Sequence, residues 1–251
     1  MGSGPFQANS ISKDQIMNET NIDFNTLSLY TTPVGRIVQQ FITDMYLKKH
    51  ERTSEYALYL QDLNDIMTSI SQSFDDITLT IKLIRFAHPK IKSFKMTKAD
   101  RGDYIKYHFE NYFFRLPKLK DQVLQLLNKV FRMGLSQSQG LEKKVRAHPV
   151  VQNKKLYLFL DYFEEAFARI KPLRDTIAHR GDLADSDMTM LTSYQLAPYD
   201  NDVYEMRLRI MISKAEVFEK NQGILKQAVI ILLLALEEEF NPILNSLSRL
   251  P

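Results

Sequence analysis

The sequence predicts an all-α fold, a helical bundle with at most a small β-hairpin insertion, and three observations point there. Apolar residues recur at three- and four-residue spacing over most of the chain, as in Leu63, Ile66, Met67, Ile70, Phe74 and Ile77. Most Pro and Gly residues stand between such stretches, where helices start and stop. Only one stretch alternates with the period of a strand. At 251 residues the chain can bury a full core without disulfides or metal.

Residues 1–32 read as an irregular N-terminal segment, and Met1 to Pro5 has the composition of a tag remnant or a frayed end. Pro33 suits a first helical turn, and Val34, Ile37, Val38 and Phe41 follow at helical spacing. Ser54 and Glu55 open a long helix that His88-Pro89 ends, and Lys90 to Lys98 is a basic connector. Residues 33–99 thus form an N-terminal helical region. The rest, 100–251, is either a domain of its own or continuous with it as one unit, 33–251. Thr97 or Asp100 caps a helix that runs toward Leu116-Pro117. A further helix starts near Lys118 and closes at Gly134 and the Ser-Gln stretch before Gly140. Lys154 to Ile170 is apolar and aromatic, and Pro172 interrupts it. Residues 188–196 and 203–212 suggest the β-hairpin, because Tyr204, Met206, Leu208 and Ile210 alternate with Glu205, Arg207 and Arg209. Lys214 to Leu247 reads as one long helix.

Composition excludes several chemistries. There is no cysteine, so disulfide frameworks, cysteine-ligated metals and thiol nucleophiles are out. No glycine-rich phosphate loop, nucleophile elbow or His-Glu-x-x-His pair occurs. The five histidines stand apart, none at the spacing a helix uses to hold a metal, so neither metal nor cofactor is expected. The most apolar run, Ala228–Leu236, is too short to cross a bilayer. No membrane association and a cytoplasmic location are the expectation. Charge is segregated: residues 82–132 carry 13 basic and 4 acidic side chains, while residues 1–81 carry 5 and 10. A basic middle is either a surface for a polyanion or a set of solvated helix faces.

One short stretch carries chemistry, Arg174-Asp175-Thr176-Ile177-Ala178-His179. Pro172 places a helix start just before it, where free backbone N–H groups favour an anion beside Arg174. His179 exchanges a proton near neutral pH. An arginine on a phosphate and a histidine moving protons suffice for attack of an RNA 2′-hydroxyl on its own phosphate. The bare pattern is close to what chance supplies in a chain of this composition. Its setting adds weight: an aromatic stretch from Leu156 to Phe163 precedes it, and Arg180-Gly181 follows.

That setting resembles the HEPN superfamily, whose signature is an Arg followed by a polar residue and, after four to six intervening residues, a His. The segment from Tyr107 to Arg115, with Asp121 and Asn128 beyond, is similar to the first core helix of a stand-alone bacterial HEPN branch, and the resemblance covers about residues 100–245. It implies a helical bundle acting as a metal-independent endoribonuclease, commonly a homodimer that joins two motifs in one cleft. Toxin–antitoxin and antiviral defence settings are typical, with RNA as substrate and an antitoxin or regulatory protein as a further partner. Carried onto this chain, Arg174 holds the scissile phosphate, His179 is the acid–base group and Asp175, where Asn is commoner, orients them. Glu110 and Arg115 support the motif from behind, although an ordinary salt bridge explains Glu110 as well. Some members lack activity and serve as interaction or nucleotide-binding modules, which is the alternative reading.

Overall fold

A 3-10 turn, Leu29–Thr31, leads into α1, Pro33–Tyr46. Thr32 caps α1: its hydroxyl accepts from the Gly35 amide at 3.2 Å and donates to the Leu29 carbonyl at 2.7 Å. Pro33 occupies the first helical turn, where no N–H is needed. Gly35 is required here because a Cβ would lie 2.3 Å from the Leu29 carbonyl oxygen. The structure, a computed structural model, describes residues 28–47, 54–86, 101–136, 140–168 and 201–247.

Two long helices form the spine, α2, Glu55–Phe86, and α3, Arg101–Val130. Ser54 caps α2, accepting from the Ala57 amide at 3.1 Å. The two run antiparallel, since Glu55 pairs with Arg132, Asp62 with Lys129 and Asp76 with Arg115. Between them sits a buried polar knot in which Gln122 accepts from Ser73 at 2.9 Å and donates to the Ser69 carbonyl at 3.1 Å. Buried amides are tolerated when satisfied in this way. Around the knot, Leu60, Leu63, Met67, Ile70 and Ile77 of α2 meet Leu116, Leu119, Val123 and Leu126 of α3, all fully buried.

Three short helices follow: α4, Leu141–Ala147; α5, Pro149–Asn153; and α6, Tyr157–Ala168. Lys120 ties α3 to Glu142 at 2.6 Å and also pairs with Glu164 on α6. Helix α7, Asn201–Ala235, crosses the whole spine, and α8, Glu237–Leu247, ends the described chain. Tyr112 of α3 stacks on Phe218 of α7 with centroids 3.8 Å apart, and Gln222 donates to the Phe74 carbonyl at 2.9 Å. Phe240 of α8 stacks on Tyr59. The bundle therefore has an upper end, where α2 closes and α3 and α7 begin, and a lower end near Tyr59, Val130 and Phe240.

Three expectations change. Residues 203–212 are helical, within α7, so the second limb of the hairpin does not exist; the first limb, 188–196, lies outside the described residues. The alternation concealed a helical stripe in which Met211, Ala215, Phe218 and Leu225 are buried at spacings of four, three and seven. The break at Pro117 is also absent, for α3 runs straight through it. An internal proline costs about 3 kcal/mol. Here Leu116 and Leu119 on either side are fully buried, and their packing offsets that cost. Finally, the helix expected over 214–247 starts earlier, at Asn201, and is divided at Leu236. The predicted start at Pro33 and the long helix opening at Ser54 and Glu55 stand as read.

Candidate functional site

At the upper end, Tyr104, His108, Asn111 and Arg115 follow one another along α3 at helical spacing, on the side flanking α2. His108 is 8% exposed, with its ring edge-on to Tyr104 at 4.4 Å and to Tyr107 at 5.2 Å. Burial holds its pKa below the ordinary imidazole value, so the neutral form is favoured. One Nη of Arg115 pairs with Asp76, while its Nε is buried and has no hydrogen-bond partner. That leaves a donor unsatisfied in a half-buried guanidinium. Glu110 stands half-exposed on the next face of α3.

Helix α6 arrives at this end as well. Its Glu164 reaches Lys120, while Lys154, just before α6, pairs with Glu239 at the lower end, so α6 ascends antiparallel to α3. Its last residue, Ala168, therefore lies about level with Leu116. The chain reappears at Asn201, the upper start of α7. Both ends that flank the Arg-His stretch thus sit beside the Tyr104–Arg115 stripe.

The lower end offers a cleft of about 610 Å³, lined by Glu55, Tyr59, Asp62, Lys129 and Arg132 among others. Its charges are spent on each other, since Lys129 pairs with Asp62 and Arg132 with Glu55. The Tyr59 hydroxyl donates to the Val130 carbonyl at 3.3 Å, and burial raises its pKa. A ligand there would have to displace these partners, so the cleft is a poor candidate. Among the described residues no group of histidine and carboxylate side chains is arranged to hold a metal. None of the helices searched is long and apolar enough to cross a membrane.

A family model described as Cthe2314-like HEPN matches residues 59–237, well over half of the chain. The protein belongs to the HEPN family. No curated protein and no solved structure matches the chain. The HEPN match runs from within α2 through α7, and so includes α2 as well as the stretch from residue 100 onward.

The HEPN signature residues themselves, Arg174, Asp175 and His179, lie outside the described residues, as does the connector at Lys90 to Lys98. Arg115 is engaged with Asp76, a partner 39 positions earlier that no local motif announces. Asn128, noted beside the core-helix resemblance, clamps the chain after α3: it donates to the Leu135 carbonyl at 2.8 Å and accepts from the Leu135 amide at 3.0 Å. Asp121 is exposed on α3. The basic block turns out to be much consumed by pairing. Arg85, Arg115, Lys120, Lys129 and Arg132 all bind carboxylates from other elements. Segregated charge along the chain becomes cross-helix pairing in the fold.

Proposed function

We propose that this HEPN protein is a metal-independent endoribonuclease, cytoplasmic, working as a homodimer in a toxin or antiviral defence role. Family membership over residues 59–237 carries the reading, because that stretch includes both the Tyr107–Arg115 segment and the Arg174–His179 signature. In the reaction the RNA 2′-oxygen bonds to the adjacent phosphorus and the bond to the 5′-oxygen breaks. A base takes the 2′-hydroxyl proton and an acid gives one to the leaving 5′-oxygen, leaving a 2′,3′-cyclic phosphate. His179 is the acid–base group; two copies in one cleft supply one histidine for each transfer. Arg174 neutralises charge growing on the phosphate oxygens, and Asp175 orients the pair. Glu110 and Arg115 are positioning residues, and the unsatisfied Arg115 Nε supports a donor role toward the motif. An antitoxin or regulatory protein is the further partner, since such an activity needs restraint.

The test is cleavage of single-stranded RNA in EDTA by wild type, Arg174→Ala and His179→Ala. Loss of either residue lowers the rate by roughly 10²–10⁴-fold, and wild-type products end in 2′,3′-cyclic phosphate. Intact RNA with wild-type protein across varied sequences discards the nuclease and leaves a non-catalytic interaction or nucleotide-binding module.

A further inference from the structure

The outer face of the α2–α3 pair is unusually apolar at its upper half. Leu79 is 54% exposed and Phe86 62% on α2; Tyr107 is 61% and Phe114 47% exposed on α3. Members of each pair are seven residues apart, two turns along one helix face. The Asp76–Arg115 ion pair fixes the register, so Leu79 lies about level with Asn111 and Phe86 with Tyr104. All four side chains thus belong to one patch. They leave on the order of 400 Å² of side chain in water, a size that marks an interaction surface. That is about half of what one partner contributes to a standard interface.

Charge around the patch identifies the occupant. On α3, Glu110 and Lys118 lie four residues either side of Phe114. On α2, Asp75 and Lys82 bracket Leu79. None of these four forms an ion pair with another described residue. With as many carboxylates as amines, the face has no excess charge to attract a polyanion. It is, however, complementary to itself when reversed. Laid antiparallel on a second copy and centred on Phe114, it sets Glu110 against the partner's Lys118, and Lys118 against the partner's Glu110. The same operation brings Asp75 near the partner's Lys82, within about a turn, and Leu79 toward its own copy. Both helices require nearly the same centre, which an accidental scatter of charges would not.

We infer that this face is where two copies of the chain pair, antiparallel, through α2 and α3. The inference specifies the homodimer proposed above and rests on that part of it, not on RNA cleavage. Such an isologous contact closes on itself and stops at two.

Sedimentation equilibrium of the full chain tests it, with no nucleic acid present. Wild type sediments at twice the 29.3 kDa chain mass. Glu110→Lys and Lys118→Glu each weaken association by roughly tenfold or more, because each puts like charges face to face. The double variant, Glu110→Lys with Lys118→Glu, restores it, since reversed charges again meet opposite ones. Phe114→Glu gives monomer, and its thermal melt shows that the exposed site still permits folding. A monomeric wild type removes the dimer altogether. A dimer indifferent to Phe114→Glu, or a double variant no better than the singles, removes this face and leaves the dimer. A monomer whose retention of RNA falls with Phe114→Glu reassigns the patch to nucleic acid and overturns the pairing.

Discussion

The two ends of the bundle treat their polar and aromatic groups in opposite ways. At the lower end every charge of the cleft has an opposite neighbour, Tyr59 is stacked on Phe240 and hydrogen-bonded, and Asn128 clamps the chain that leaves α3. At the upper end Tyr107, Phe114 and Phe86 face water, His108 is buried between tyrosine rings, and Arg115 keeps an unmatched N–H. Satisfied groups stabilise and have nothing left to offer a ligand. Unsatisfied ones cost stability and persist where another surface completes them. The contrast therefore separates what holds the fold from what is available for work.

The largest expected effect lies at the lower end. Tyr59 is 4% exposed, so Tyr59→Ala removes a packed ring and should cost about 3–5 kcal/mol in chemical denaturation. Tyr107→Ala, of equal chemistry at the upper end, should change the stability of the monomer by no more than about 0.5 kcal/mol. Comparable losses at the two positions would abolish the division of labour. Asn128→Ala comes next, at about 1–2 kcal/mol, because two hydrogen bonds to Leu135 go and both backbone groups are half-buried. Proteolysis near Gly134 should quicken with it. Asp76→Ala follows at up to about 1 kcal/mol, the scale of a partly exposed ion pair, and leaves Arg115 without its carboxylate. A double-mutant cycle with Arg115→Ala measures that coupling directly.

How legible all this was in the sequence differs between the ends and the middle. Helix starts were readable where a cap or proline announces them, as at Thr32-Pro33 and Ser54, since these signals act within a few residues. Pro117 was misleading for the complementary reason. Its local penalty was visible, but the burial of Leu116 and Leu119 that outweighs it is tertiary. Residues 203–212 misled through coincidence of periods: Tyr204, Leu208 and Met211 satisfy a helix as well as Tyr204, Met206 and Leu208 satisfy a strand. The run continued into Ala215 and Phe218, which only the helix explains. Of the site, the residue types were readable and the pairings were not. Asp76 meets Arg115 across 39 positions, and no local pattern links them.

The smallest effect concerns His108, and its sign follows from burial. Its folded-state pKa lies below the unfolded value of about 6.5, because the ring between Tyr104 and Tyr107 is poorly solvated when charged. The unfolded chain therefore binds the proton first as pH falls. Stability contributed by neutral His108 is complete above the unfolded pKa and is lost as pH drops through the folded one. Wild type should accordingly lose more stability between pH 7.5 and pH 5 than His108→Phe, which keeps a ring in the site without a proton to take up. Urea unfolding at the two pH values, compared as a difference of differences, isolates this from the carboxylates common to both proteins. Parallel profiles would mean that His108 is as well solvated as an exposed histidine. The upper end would then lack the one buried titratable ring that distinguishes its interior from the paired charges below.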